Sequence, residues 1–190
     1  MTLAGSALAG AEGKYKRETN DYYATPASCT EELLKKEKFT GNILEPCCGE
    51  GHISKVLKEN GFEVESNDLI NRGYGNSFKD FLNEDFEKYD NVITNPPFKY
   101  AKEFIEKALQ VTNYKVAMFC KIQLLEGVNR REMFRNAPLK NIYVFTHRQT
   151  PLKNGFLTKP DGKKWSSTMC FAWFVFEKGY EGKPMIDWID

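Results

Sequence analysis

Residues 42–51 read Asn42-Ile43-Leu44-Glu45-Pro46-Cys47-Cys48-Gly49-Glu50-Gly51 and set the architecture of this chain. A short apolar run leads into a turn with two glycines, and an amphipathic stretch over 52–60 follows. This order predicts a strand, a turn whose backbone can approach a ligand, and a helix. Apolar runs and amphipathic stretches continue to alternate along the chain, which favours a mostly parallel α/β sheet with helices on both faces.

The same patterns predict the other elements of the chain. An extended segment over 22–26 precedes the first helix, for which Thr30 is a suitable N-cap. The two C-terminal runs are apolar enough to form a terminal antiparallel hairpin buried against the sheet. The predicted strands cover 42–45, 63–67, 91–94, 115–120, 141–146 and 169–176, and the predicted helices cover 31–38, 52–60, 100–111 and 130–135.

Composition limits the classes of protein to consider. The chain has 190 residues, 41% of them hydrophobic, so we expect a flexible tail over 1–14 and one domain over 15–190. A formal net charge of +1 means that any nucleic-acid surface must be local. The five cysteines form no CxxC pair and have no zinc-like spacing with the two histidines, which predicts a cytoplasmic protein without a metal site. No stretch is long and apolar enough to span a bilayer.

A second motif, Asn95-Pro96-Pro97-Phe98, follows the apolar run 91–94. The prolines fix φ and donate no N–H, so the carbonyls of Asn95 and Pro96 can be held towards a ligand. These acceptors, with the Asn95 side chain, suit the exocyclic amino group of a base, and Phe98 could stack on its ring. The pattern indicates chemistry on an amino nitrogen, although a Pro-Pro pair also occurs in ordinary loops.

Three further features suggest a nucleoside-containing cofactor. A dinucleotide fingerprint would require a glycine at position 54, where this chain has Ser54, and the acidic Glu45 suits a cationic ligand better than a pyrophosphate. Asp68 ends the second predicted strand, where a carboxylate can accept hydrogen bonds from ribose hydroxyls. Asp80 offers an acceptor to an adenine amino group, beside the apolar Phe81, which is equally suited to the core.

The order and spacing of these motifs resemble the class I S-adenosylmethionine-dependent methyltransferases, particularly those that act on adenine N6. The resemblance covers roughly 22–125 by motif and includes Tyr23-Ala24-Thr25-Pro26. The stretch Asp68-Leu69-Ile70-Asn71-Arg72-Gly73-Tyr74-Gly75 is similar to small phage and prophage members. The resemblance to this family implies a Rossmann-like fold with a seven-stranded sheet and S-adenosylmethionine as cofactor. It also implies methyl transfer to adenine N6 by direct displacement.

The resemblance also implies the roles of individual residues. Asn95, Pro96, Pro97 and Phe98 are the expected catalytic set. The expected cofactor-binding residues are Tyr23, Thr25, Pro26, Glu45, Pro46, Cys47, Gly49, Gly51, Asp68, Asp80 and Phe81.

The polar segment 147–168 is the candidate substrate loop. Loops of this length in compact domains are usually functional or disordered. We expect nucleic acid as partner, DNA in preference to RNA, with the target base flipped out of a duplex. Cationic and aromatic side chains suited to phosphates and bases are Arg148, Lys153, Lys159, Lys163, Lys164 and Trp165.

Other functions stay open on the sequence. An RNA adenine methyltransferase would use the same tetrapeptide on a looped-out base. A protein-glutamine methyltransferase could place an amide nitrogen in the same cradle, although that family often has tyrosine at the position of Phe98. A non-catalytic nucleic-acid-binding protein with a vestigial cofactor site is the alternative from a different class. We expect no separate target-recognition domain of the kind that larger DNA methyltransferases have, which leaves the sequence selectivity open.

Overall fold

The computed structural model describes residues 22–149, 152–153 and 169–190. Within these residues seven strands form one sheet and two short strands form a second. The strands are β1 (Tyr23–Ala24), β2 (Ile43–Glu45), β3 (Val64–Ser66), β4 (Tyr89–Thr94), β5 (Thr112–Lys121), β6 (Leu139–Phe145), β7 (Leu152–Lys153), β8 (Phe171–Glu177) and β9 (Met185–Ile189). The order in the large sheet is β3-β2-β4-β5-β8-β6-β9. This arrangement confirms the predicted mostly parallel α/β sheet.

Strand direction divides the large sheet. β3, β2, β4 and β5 are parallel, so their carboxyl ends meet at one edge. β8 runs antiparallel to both β5 and β6, which confirms the predicted hairpin between the two C-terminal apolar runs. The hairpin is not terminal, because β9 follows and pairs parallel with β6. β9 was not predicted, since only Ile189 of its five residues is buried and its sequence has no clear alternation.

Helices cover both faces of the sheet. α1 (Ala27–Lys36) and α2 (His52–Glu59) pack on one face through Leu33 and Leu57, which are fully buried. α3 (Ala101–Val111) and α4 (Arg131–Asn136) pack on the other face through residues such as Ile105 and Met133. β8 is apolar because residues 171–176 are buried between these two layers.

The start of α1 corrects the sequence prediction. Thr30 was expected to be the N-cap, but the helix begins at Ala27 and Pro26 occupies the capping position with φ of −55°. The proline ring presets a φ compatible with a helix start, which a pattern of apolar residues does not reveal. Thr30 is instead buried in the first turns of α1.

The N-terminal segment is extended, as predicted. β1 pairs antiparallel with β7, with Tyr23 opposite Lys153 and Ala24 opposite Leu152. This pairing brings part of the predicted substrate loop beside the Tyr23–Pro26 motif. No helix in the described residues is long and apolar enough to cross a membrane.

Candidate active site

A cavity of about 630 Å³ lies where the parallel strands β2, β3 and β4 end. Open α/β sheets bind ligands at this edge, because the loops that follow neighbouring strands converge there. Ten of the residues predicted for the site line the cavity: Tyr23, Thr25, Glu45, Pro46, Cys47, Asp68, Asp80, Phe81, Asn95 and Pro97. Both predicted motifs therefore open onto the same cavity.

The glycine turn after β2 is held by Asp68. The Gly49 N–H donates to Asp68 Oδ2 across 2.8 Å, and the Ile70 N–H donates to Oδ1 across 2.9 Å. Gly49 and Gly51 do not line the cavity. Gly49 has a φ of +55°, and a Cβ placed there would lie 2.4 Å from the Tyr22 ring. The glycine thus allows both the turn and the close approach of Tyr22.

Glu45 is buried and lines the cavity. Its Oε2 atom accepts from the Ser54 N–H across 2.8 Å and from the Ser54 hydroxyl, which also contacts the Ser66 hydroxyl at 2.6 Å. Burial raises the pKa of the Glu45 carboxyl to about 8, partly offset by the hydrogen bonds from Ser54. The group is therefore mostly neutral at pH 7, and a cationic ligand beside it would favour its ionised form.

Asp80 and Phe81 also line the cavity. Asp80 Oδ1 accepts from the Leu82 N–H across 3.0 Å and Oδ2 accepts from Asn83 Nδ2 across 2.7 Å. These bonds, led by that from Asn83, lower the pKa of the Asp80 carboxyl. Phe81 is only 3% exposed and packs against the rings of Phe86 and Phe104, so it belongs to the core as well as to the wall.

Asn95 follows the last residue of β4 and is tied to the N-terminal segment. Its Nδ2 atom donates to the Tyr23 carbonyl across 2.8 Å and to Thr25 Oγ1 across 3.0 Å. A carbonyl oxygen only accepts, so these partners identify which end of the amide is nitrogen. Because Nδ2 makes these two bonds, the other atom of the amide group is the acceptor Oδ1.

The rest of the tetrapeptide is divided between cavity and core. Pro97 lines the cavity, whereas Pro96 is buried and does not. Phe98 is outside the cavity lining: its ring stacks on Tyr23 at 6.0 Å between centroids, and Lys121 Nζ lies 4.3 Å from its centroid. Tyr100 and Lys99, which the sequence reasoning did not select, line the cavity next to Pro97.

Two other wall residues were missed by the sequence reasoning. The Arg72 guanidinium lies 4.2 Å from the centre of the Tyr22 ring, and both residues line the cavity. Tyr23, which follows Tyr22, and Asp68, four positions before Arg72, were selected. The contact itself joins residues 50 positions apart, and no local pattern signals it.

The remaining predicted residues lie elsewhere. Pro26 precedes α1 and does not line the cavity. Arg148 is exposed just beyond β6, and the backbone of Lys153 is in β7. Lys159, Lys163, Lys164 and Trp165 lie outside the described residues.

The thiols of the glycine turn are protonated at neutral pH. Burial raises the pKa of Cys48 to about 12 and that of Cys47 well above its usual range. Neutral thiols behave as small apolar groups, so Cys47, which is half-buried, and Cys48, which is buried, fill space in the turn. In the ranges that the structure describes, no group of three or more His, Cys, Asp or Glu side chains could hold a metal ion.

Comparison with known proteins yields similarity in structure alone. No protein-family model matches the chain, and no curated protein matches its sequence. A candidate RNA methyltransferase from Pyrococcus horikoshii superposes with a TM-score of 0.59 at 20% identity, covering 84% of this chain and 88% of that one. A Thermoplasma acidophilum protein gives 0.58 at 18% identity, covering 85% and 91%.

A third solved structure is that of an enzyme with its cofactor. The magnesium protoporphyrin IX methyltransferase of Synechocystis PCC 6803, with bound S-adenosylmethionine, gives a TM-score of 0.51 at 12% identity and covers 80% of this chain and 77% of that one. At such identities the likeness is one of fold. Together with the strand order and the helices on both faces, it shows that the chain has the Rossmann-like class I methyltransferase fold.

Proposed function

We propose that this protein is an S-adenosylmethionine-dependent methyltransferase that methylates the N6 amino group of adenine in DNA. One observation carries the proposal: Asn95 opens onto the same cavity as Glu45, Asp68 and Asp80. An amide suited to a base and a set of acceptors suited to a cationic nucleoside thus share one cavity.

The cavity fits the cofactor in size and in chemistry. Its volume of about 630 Å³ lies within the range of small-molecule sites. Asp80 and Phe81 would hold the adenine, and Asp68 the ribose hydroxyls, because each carboxylate keeps lone pairs beyond its present hydrogen bonds. Tyr23, Thr25, Pro46 and Cys47 would contact the amino-acid end. When bound, S-adenosylmethionine supplies an electrophilic methyl group.

Asn95 acts on the acceptor nitrogen. Its side-chain oxygen accepts a hydrogen bond from the adenine amino group, which withdraws the nitrogen lone pair from the ring and favours a nucleophilic, pyramidal nitrogen. The bonds from Asn95 Nδ2 to Tyr23 and Thr25 fix the amide before substrate binds, so little reorganisation is needed. Phe98, which lies outside the cavity lining, packs on Tyr23 and so supports the segment that holds the Asn95 amide.

No side chain is required as a general base. Methylation of the amino group gives a cation that sheds its proton readily, so orientation and electrostatics account for the acceleration.

The target adenine must leave the duplex to reach Asn95. Base flipping costs a few kcal/mol of stacking and pairing, which contacts elsewhere must offset. We propose that Arg148, Lys153, Lys163, Lys164 and Trp165 provide such contacts. The pairing of β7 with β1 supports this, since it joins the segment carrying Lys153 to the cavity wall at Tyr23.

RNA is the second candidate substrate. It is favoured by the structural likeness to the candidate RNA methyltransferase of Pyrococcus horikoshii. The amino-group chemistry would be unchanged, because an unpaired loop adenine presents the same N6 atom.

Transfer of labelled methyl groups from S-adenosylmethionine to duplex DNA, single-stranded DNA, total RNA and protein, measured in parallel, tests the acceptor class. Label in DNA supports the first proposal and label only in RNA supports the second. Label only in protein, or in none of the four, contradicts both.

A further inference from the structure

Arg72 has an unused donor in the cavity wall. Its Nε atom is buried and has no hydrogen-bond partner among the residues that the structure describes. A buried donor without an acceptor is costly, and in a cavity wall it indicates a ligand atom that accepts.

The guanidinium is held in place by Tyr22. It lies 4.2 Å from the centre of the Tyr22 ring, a distance typical of a cation–π contact. The Tyr22 hydroxyl donates to Glu50 Oε2 across 3.1 Å and accepts from the Glu50 N–H across 3.3 Å. Because Tyr22 also lies directly over Gly49, Arg72 is positioned at the glycine-turn end of the cavity.

The other cations of the wall belong to other parts of the cavity. Lys79 precedes Asp80 and lies over the ring of Phe86 at 5.5 Å. Lys99 follows Phe98 and lies over the ring of Tyr100 at 5.0 Å. Among the described lining residues, Arg72 is therefore the cation that lies at the glycine-turn end of the cavity.

Building on the proposed function, we propose that Arg72 binds the carboxylate of the cofactor's amino-acid end. A guanidinium presents Nε and Nη donors in a planar fork that matches the two oxygens of a carboxylate. The bound anion would satisfy Nε, while Tyr22 keeps the fork from swinging into solvent. Arg72 then discriminates amino-acid-bearing nucleosides from nucleosides without a carboxylate.

The test compares two ligands by calorimetry: S-adenosylhomocysteine and its decarboxylated analogue, which lacks only the carboxylate. Replacing Arg72 by alanine should weaken the binding of S-adenosylhomocysteine by a factor of about 10 to 100, as expected for the loss of a charge-assisted pair. The analogue should bind the variant and the unaltered protein with similar affinity. Arg72→Lys, which keeps the charge but loses the fork, should give an intermediate loss.

Lys55→Ala is the matched control. Lys55 lies 5.2 Å from the centre of the Tyr74 ring and does not line the cavity, so its removal changes the net charge equally and should affect neither ligand. If Arg72→Ala weakened the binding of both ligands equally, Arg72 would have a purely structural role and the proposal would be overturned. Unchanged binding of both ligands would also overturn it. Failure of the unaltered protein to bind either ligand would contradict the proposed function itself.

Discussion

The side-chain amide of Asn95 donates to the backbone carbonyl of Tyr23 across 2.8 Å. This bond joins the tetrapeptide after β4 to the extended segment before α1, 72 residues earlier in the chain. Tyr23 also stacks on Phe98 and pairs through its backbone with Lys153. One short segment therefore connects the proposed methyl-acceptor site, the cofactor cavity and the candidate substrate loop.

Asn95→Ala should separate catalysis from cofactor binding. The variant loses an acceptor needed mainly in the transition state, so turnover should fall on the order of 100-fold or more. The Kd for S-adenosylmethionine, measured by calorimetry, should stay near that of the unaltered protein. Unchanged turnover would exclude the amide from the reaction.

Thr25→Val tests the support of that amide. Thr25 is 2% exposed, and its Oγ1 atom accepts from Asn95 Nδ2 across 3.0 Å. Valine removes the acceptor at similar volume, so the free energy of unfolding should fall by about 1 kcal/mol and turnover should fall with it. Thr25→Ser keeps the acceptor and should retain turnover. Loss of activity in Thr25→Ser but not in Thr25→Val would assign the role to the methyl group and contradict the proposed role of the hydrogen bond.

Gly49→Ala and Gly61→Ala separate backbone strain from steric conflict. Both glycines have positive φ, +55° and +86°, but a Cβ at Gly61 would meet nothing within 4 Å. Gly61→Ala should lower the free energy of unfolding, measured in urea, by about 1–2 kcal/mol, because alanine is strained in a left-handed backbone conformation. It should leave cofactor binding unchanged. Gly49→Ala should lower the free energy of unfolding by more than this and should weaken cofactor binding, because the new Cβ displaces Tyr22. Equal effects of the two variants on cofactor affinity would contradict this view of the turn.

Glu45 should make stability fall as pH rises. Its pKa is about 8 in the folded protein and near the ordinary value of 4.5 when unfolded, so between these values the folded state holds more protons. The stabilisation is complete below the lower pKa and is lost through the upper one, at up to about 1.4 kcal/mol per pH unit. Relative to the unaltered protein, Glu45→Gln should flatten the dependence of the free energy of unfolding between pH 5 and 8. Parallel curves for the two proteins would show that Glu45 does not titrate in this window.

Charge reversal tests the candidate substrate loop. Lys163→Glu with Lys164→Glu should weaken nucleic-acid binding and lower the magnitude of its salt dependence, since phosphate contacts release counterions. Lys178 and Lys183 follow the far end of β8, roughly 20 Å of strand away from the loop, and are exposed. Reversing those two charges is the control and should have the smaller effect. Equal salt slopes in both double variants would remove the loop from the binding surface.

The sequence predicts most of the structural features that depend on residues close together in the chain. The strand, glycine turn and helix around Gly49 and the placement of Asn95 at the end of a strand follow from local apolar patterns and turn chemistry. The start of α1 was missed because a proline, not Thr30, occupies the capping position. β9 was missed because four of its five residues are exposed. The pairing of Arg72 with Tyr22 depends on tertiary packing, which no periodicity records.

The central claim is that adenine N6 receives the methyl group, and nucleoside mass spectrometry of the methylated product tests it most directly. Unmethylated DNA treated with the protein and labelled S-adenosylmethionine should contain labelled N6-methyladenine, and Asn95→Ala should abolish most of it at an unchanged cofactor affinity. Label found in N4-methylcytosine, on a ring carbon or in no nucleoside of DNA or RNA would contradict the account.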